Sequence, residues 1–201
     1  GLLSKCTYRS LSGTNVPRDF VELPSQIMEN WAAEPEMLKV YAKHYKTKQI
    51  IPDELVKKII ESQHFNQGFA TTEYLAASFL DMAYHTISKP QEIDIVTFEK
   101  KILDSLGLMP QIISRYRSTY FNHIFSGGYS SGYYSYIWSE VLDSDAFQAF
   151  KEKGIFDKTT AESFRKNILE KGYTDDPMTL YKKFRGKEPS IEPLLIKRGL
   201  R

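Results

Sequence analysis

Hydrophobic positions recur along this chain at spacings of three and four, and almost nowhere at spacings of two. That periodicity predicts helices and very little sheet, so the fold class is mainly α. From Pro17 the pattern predicts a helix to about Ala33, with Asn15 as its candidate cap, stopping before Pro35. Glu36–Tyr45 reads as a short helix. Pro52-Asp53-Glu54 opens another, with Leu55, Ile59 and Ile60 inward, ending near His64 or Phe65 at the Asn66-Gln67-Gly68 break. Thr71 or Thr72 is then a cap for a helix whose Leu75, Phe79, Met82 and Ala83 share a face, ending near Ser88. Asp94–Leu106 is helical up to Gly107 and Pro110. Gln111–Phe125 reads as loop, then helix from about Tyr116.

Beyond Gly127-Gly128, Tyr129–Asp143 reads as a strong helix, and Ala146–Lys153 follows it. Thr159–Glu170 is amphipathic, with Ala161, Phe164, Ile168 and Leu169 inward. Met178–Phe184 and Ile191–Lys197 close the chain. Ahead of all these, Thr7–Leu11 reads as a brief extended piece and Ser12-Gly13-Thr14-Asn15 as a turn. No repeat, low-complexity tract or long linker divides the chain, so residues 1–201 are read as one helical domain.

Composition narrows the function classes. The 201 residues are 41% hydrophobic, enough for one good core or two small ones. A formal net charge of +2 and the absence of a basic stripe point away from nucleic acid and membrane surfaces as partners. No apolar run is long enough to span a bilayer. The single cysteine, Cys6, rules out an internal disulfide framework and favours a reducing compartment, so a cytoplasmic location is expected.

Two stretches carry candidate chemistry. In SGTNVPRDFVELPSQIMENW (Ser12–Trp31), Asp19, Glu22 and Glu29 can share one helical face while Phe20, Val21, Leu23, Ile27 and Trp31 occupy much of the rest. Carboxylates on such a helix form a solvated stripe, pair with Arg18 or Lys39, or serve a cation. In FNHIFSGGYSSGYYSYIWSE (Phe121–Glu140), Tyr129, Tyr133 and Tyr136 sit four and three residues apart, so on a helix their rings would line one face. An amphipathic aromatic core face is the plain reading of that spacing. Three weaker patterns are set aside. GxSxG at Gly128–Gly132 has no strand before it, ExxH at Glu61–His64 has no second copy, and Asp81 and His85, four apart on one helix, read as a salt bridge.

The first stretch resembles the segment following the HExxH helix in the thimet-oligopeptidase-like zinc metallopeptidases of family M3, and within that family the peptidyl-dipeptidase (Dcp) branch. The second resembles the family's Gly/Tyr-rich substrate loop, and FRGKEPSIEPLLIKRG its C-terminal signature, which packs the last helix back on the catalytic domain. The resemblance implies a C-terminal helical part of a zincin-like catalytic domain, with Leu2 and Leu3 at the tail of a helix. It implies Glu22 as the third protein ligand of a catalytic zinc, with Gln26 and Glu29 placed to hold a ligand histidine in position. His123, Tyr129 and Tyr136 would stabilise the tetrahedral intermediate or bind the substrate backbone, Tyr133 would assist in substrate binding, and Gly127 and Gly128 would hinge the loop. Arg115, Arg117 and Arg185 are read as structural. HExxH occurs nowhere in the chain, so two ligands and the general base would belong to a missing N-terminal part of the same protein, and these residues alone would not retain zinc. The expected substrates are short peptides, cut by release of C-terminal dipeptides or internally, as by oligopeptidase A-type enzymes. The competing class is a non-catalytic helical module that binds peptides on its tyrosine-rich face.

Overall fold

The computed structural model describes residues 1–201 and is built from helices without any strand; the nearest approach is an isolated antiparallel bridge between Lys43 and Ile50. The mainly-α class therefore stands. Eleven α-helices follow in order: α1 (Arg18–Val21), α2 (Leu23–Glu29), α3 (Pro35–Tyr41), α4 (Asp53–Ser62), α5 (Gln67–His85), α6 (Ile95–Ser105), α7 (Asn122–Phe125), α8 (Ser135–Lys153), α9 (Lys158–Phe164), α10 (Pro177–Arg185) and α11 (Glu192–Lys197). By internal contacts the chain forms two compact units: Gly1–Phe65 with Ile137–Arg201, and Asn66–Tyr136. No helix is long and apolar enough to cross a membrane.

Several predicted elements take a different form. The helix expected from Pro17 to Ala33 is broken at Glu22 into α1 and α2, and its last residues, Asn30–Ala33, tighten into a 3-10 turn. Pro24, in the first turn of α2, has no N–H to give the Phe20 carbonyl four residues back, so a continuous helix cannot pass. Asn15 does not cap it: its amide donates to the carbonyls of Arg9 and Ser12, and Pro17 occupies the cap position. Leu2 and Leu3, where the family resemblance implies the end of a helix, lie in a turn closed by the Ser4 N–H on the Gly1 carbonyl. Residues 9–11 are a 3-10 turn, not an extended piece. α3 stops at Tyr41 because Ala42 is extended and the chain turns back through Lys48, at φ 61°. α5 starts at Gln67, preceded by Asn66 in a left-handed conformation without a side-chain capping bond, so Thr71 and Thr72 lie inside the helix. The Thr159–Glu170 helix ends at Phe164 and continues as a π-helical turn, Arg165–Leu169; Phe164 and Ile168 are buried there, but Ala161 is exposed.

Two apolar faces are rotated from their predicted positions. On α4 it is Val56 that is buried, while Leu55 and Ile60 are exposed. On α5 the buried face is Ala76, Ala77, Leu80 and Asp81, leaving Phe79 and Met82 exposed. Ala77 packs in a cluster of aromatic rings, and a small residue there leaves the rings their room.

The first unit is organised on α8. Its Leu142, Ala146, Phe147 and Phe150 share a core with Phe20, Leu23 and Ile27 from α1 and α2, and with Phe164, Leu180 and Tyr181. Trp31 stands edge-on to Phe147 and Phe150, with ring centroids 4.5 and 4.8 Å away, and its Nε1 donates to the Ile155 carbonyl at 2.9 Å. Two buried carboxylates on α8 gather polar partners. Asp145 accepts from the Tyr181 hydroxyl at 2.6 Å and from Arg185 Nε at 3.3 Å, and the same guanidinium grips Glu152 through both terminal nitrogens. Asp143 accepts from the Asn30 amide at 2.8 Å, with Lys197 Nζ at 3.5 Å. Lys197 and Arg198 also reach Glu140, which fastens α11 to α8 as the C-terminal signature implies.

Burial pushes the Asp143 carboxyl from its ordinary 3.8 up to about 6, against the opposing pull of Lys197 and Asn30. A carboxyl raised in the folded state favours the fold in its neutral form. Its contribution is complete below about pH 4 and is lost as pH rises through about 6. That rise corresponds to roughly 3 kcal/mol. Denaturant unfolding at several pH values should therefore show native stability falling relative to Asp143→Asn by about 2–3 kcal/mol between pH 4 and pH 8. Parallel pH profiles for the two proteins would contradict this assignment.

Candidate functional site

The predicted residues fall into two groups, one in each unit. In the first unit Glu22 sits at the junction of α1 and α2, partly exposed, on the wall of an open cavity of about 530 Å³ that it shares with Phe20, Val21, Ile168 and Leu169. The helix break fixes its surroundings: the Ser25 hydroxyl donates to Glu22 Oε2 at 2.7 Å, and the Gln26 N–H donates to the Glu22 carbonyl at 2.9 Å. Gln26 is partly buried one turn on, and Glu29 is exposed at the end of α2. Glu22 is thus a reachable carboxylate on a rigid element. A zinc ion needs three or four such ligands, and the chain gathers no group of three His, Cys, Asp or Glu side chains able to hold a metal. Glu22 is a single carboxylate with no two further such side chains grouped with it.

The second group is in the second unit, between α7 and the start of α8. The helix expected from Tyr129 begins only at Ser135, so Tyr129 and Tyr133 stand on a turn and Tyr136 alone is helical. The turn runs through Gly128 at φ 82° and Ser131 at φ 55°, and closes with Gly132 N–H on the Tyr129 carbonyl at 2.8 Å. Helical spacing does not bring the rings together, yet the turn does. Tyr129 and Tyr136 stack at 5.0 Å and 16° between planes, and Tyr133 stands edge-on to Tyr136 at 5.3 Å. The His123 ring lies 6.0, 5.7 and 6.2 Å from Tyr129, Tyr133 and Tyr136. Tyr116 and Phe121, stacked at 4.9 Å, complete the cluster.

Burial grades these residues. Tyr133 is 3% exposed and Tyr129 8%, whereas His123 and Tyr136 are partly open to solvent. Burial drives the Tyr133 phenol far above its ordinary value, with the Arg115 charge opposing, so that hydroxyl stays protonated at every physiological pH. Gly127 and Gly128 are exposed. Gly127 is required by close approach: a Cβ there would lie 2.8 Å from His123 Cα and 2.9 Å from its carbonyl oxygen. Ser130 donates to the Ile124 carbonyl at 2.5 Å with no strand before it, so the GxSxG pattern is not a nucleophile elbow.

Two residues not assigned a site role by the sequence support this turn. Asp81, fully buried on α5, accepts the N–H groups of Ser131 and Tyr133, each at 2.9 Å, besides pairing with His85. The Tyr74 hydroxyl donates to the Tyr133 carbonyl at 2.8 Å. An acidic residue set between Leu80 and Met82 is the available signal for Asp81. Elsewhere in the unit the Arg117 guanidinium and the Ser118 N–H and hydroxyl all bond the buried Glu99, so Arg117 is structural as expected.

The model of peptidase family M3 matches residues 1–200. The chain is 44% identical over 202 residues to a dipeptidyl carboxypeptidase of Escherichia coli strain K12, covering 100% of this chain and 30% of that protein. It is 37% identical over 208 residues to oligopeptidase A of the same strain, again 100% and 30%. Saccharolysin of Saccharomyces cerevisiae is 32% identical over 189 residues, covering 92% of this chain and 26% of that protein. The chain thus spans about 30% of the length of the bacterial relatives.

Two glycine substitutions in the second unit should have opposite signs. Gly127→Ala forces a Cβ against immovable backbone and is expected to cost about 1–3 kcal/mol. Gly68→Ala, in the first turn of α5 with nothing within 4 Å, should stabilise by about 0.5–1 kcal/mol. Urea unfolding of both variants checks the pair, and equal effects would contradict the close approach at Gly127.

Proposed function

The chain belongs to peptidase family M3, and from that membership we propose that it supplies part of the active site of a zinc metallopeptidase hydrolysing short peptides, releasing dipeptides from the C-terminus. The observation that carries this reading is the gathering of the His123, Tyr129 and Tyr136 rings around the glycine-containing turn between α7 and α8. Hydrolysis of a peptide bond passes through a tetrahedral intermediate with negative charge on the former carbonyl oxygen. Donors already in place for that oxygen lower the barrier, because nothing has to reorganise as charge develops. A phenol suits this role, since it donates one hydrogen bond and does not take the proton that a carboxylate base must handle. In this reading Tyr136, the more open of the stacked pair, donates to the oxyanion with Tyr129 beside it, and His123 contributes a second donor.

Tyr133, the further substrate-binding candidate, is almost wholly buried, and in this reading it steadies the turn that carries Tyr129. Gly127 and Gly128 let the turn approach an extended peptide closely, since neither carries a side chain to fend it off. Glu22 contributes one carboxylate to a zinc ion whose other ligands belong to residues outside this chain, and Gln26 and Glu29 are within one and two helical turns to orient a ligand histidine. Zinc, when bound in such a site, polarises the peptide carbonyl and activates water. The partner of these 201 residues is then the remainder of the same protein, together with the peptide substrate.

The similarity to a dipeptidyl carboxypeptidase supports dipeptide release. The similarity to oligopeptidase A supports internal cleavage as the second reading. One peptide offered with a free or an amidated C-terminus separates them. The complete protein is expected to cleave the free form at least about tenfold faster, the loss of one charge-assisted contact to the carboxylate, and equal rates would sink the dipeptidase reading. Glu22→Ala should lower zinc content measured by metal analysis and reduce hydrolysis by about a thousandfold or more. Unchanged zinc and hydrolysis would favour a peptide-binding module without catalysis.

A further inference from the structure

The turn bearing the tyrosines has little regular structure of its own, and its geometry has to be imposed from elsewhere. Between Ser126 and Tyr134 it includes two residues at positive φ, Gly128 and Ser131, and only a few local bonds, among them Tyr129 N–H to the His123 carbonyl at 2.9 Å. Ser131 carries a side chain into the left-handed region that glycine would enter freely. The contact opposing that cost comes from α5. Asp81 Oδ1 accepts the Ser131 N–H and Oδ2 accepts the Tyr133 N–H, each at 2.9 Å, so one carboxylate spans the strained residue from both sides.

Asp81 has no exposed surface, and its helix places it among Ala77, Ser78 and Leu80, also buried. Sealing a carboxylate inside a helix–loop contact is costly unless every oxygen is satisfied. Here both are: His85 Nδ1 lies 2.8 Å from Oδ1 as well, and 2.9 Å from the Asp81 carbonyl oxygen. Each oxygen therefore has at least one partner, and the residue has no exposed surface. The partners it has are the backbone of the turn and His85.

We propose that Asp81, braced by His85, is a positioning residue for peptide hydrolysis: its carboxylate sets the backbone at Ser131 and Tyr133 and thereby the place of the Tyr129–Tyr136 pair. The catalytic half of this proposal rests on the tyrosine roles given above, while the structural half does not.

The test uses the complete protein carrying this chain. Asp81→Asn keeps the shape but turns an N–H₂ towards one of the two amides, so one bond is replaced by opposed donors. Amide hydrogen exchange at Ser131 and Tyr133 should accelerate at least about tenfold, with protection of α6 unchanged. In the native background kcat should fall about thirtyfold or more. In a Tyr136→Phe background the same substitution should cost less than about threefold, because the group it positions is already gone. A merely structural loss would reduce both backgrounds by the same factor. Should Asp81→Asn not fold, Asp81→Glu, which keeps both acceptors one methylene further out, takes its place with the same expected non-additivity. Unchanged exchange at residues 131 and 133, or equal losses in the two backgrounds, would overturn the proposal. A Tyr136→Phe protein that hydrolyses at the native rate would overturn the tyrosine assignment instead, and the exchange measurement then decides Asp81 alone.

Discussion

A carboxylate sealed inside a helical protein is costly unless it is hydrogen-bonded or held neutral, and each unit of this chain meets that cost with its own set of partners. In the second unit Asp81 is fully buried on α5 and hands its two oxygens to the backbone of an irregular turn. In the first unit Asp143 and Asp145 are buried on α8 and draw in Asn30, Lys197, Tyr181 and Arg185 from elements far apart in sequence. Apolar packing brings these elements together without fixing their register. Charge-assisted hydrogen bonds are directional, and removing one partner leaves the other buried and unpaired. The fold is therefore most particular where its buried acids are.

The same constraint shapes the candidate site. Tyr129 and Tyr136 stack because a turn, not a helix, carries the chain from one to the other. The turn persists because Asp81 and Tyr74 occupy its amides and carbonyl, and because Gly127 tolerates an approach that any side chain would forbid. Oxyanion donors are effective in proportion to how little they must move. In the proposed function, a hydroxyl pair held by a buried scaffold would meet that requirement, and the exposed glycines beside it would leave room for an extended peptide. Glu22 has a comparable setting on a smaller scale, fixed at a proline-induced break and hydrogen-bonded by Ser25.

Much of this is legible in the sequence, and the departures have specific causes. Helix class, the positions of α6, α10 and α11, and the gathering of His123 with the tyrosines follow from periodicity, capping signals and the resemblance to family M3. The break at Glu22 is written in Pro24, but five apolar residues around it make a continuous helix persuasive. The Tyr129–Asp143 helix fails at its start because Asp81 takes the Tyr133 N–H that a helix would give to the Tyr129 carbonyl, and because Ser131 lies at positive φ. On α5, volume decides the buried face: alanines go inward beneath the rings while Phe79 and Met82 stay out, which hydrophobicity alone ranks the wrong way round. Asp81 reads as half of an i,i+4 pair with His85, which it is, but its longer-range partners are 50 and 52 residues away and leave no local trace.

The catalytic role of the tyrosine turn stands on its recognising the tetrahedral state of the substrate in preference to its ground state. The most direct measurement is the affinity of the complete protein for a phosphinic peptide, whose tetrahedral phosphorus mimics the intermediate, beside that for the dipeptide product of matching sequence. Replacing Tyr136 by Phe should weaken the phosphinic peptide by about a hundredfold, in line with the loss of one oxyanion donor, and leave product affinity within about threefold. Equal weakening of both ligands, or of neither, would contradict that preference and make the turn a feature of ground-state peptide binding or of packing.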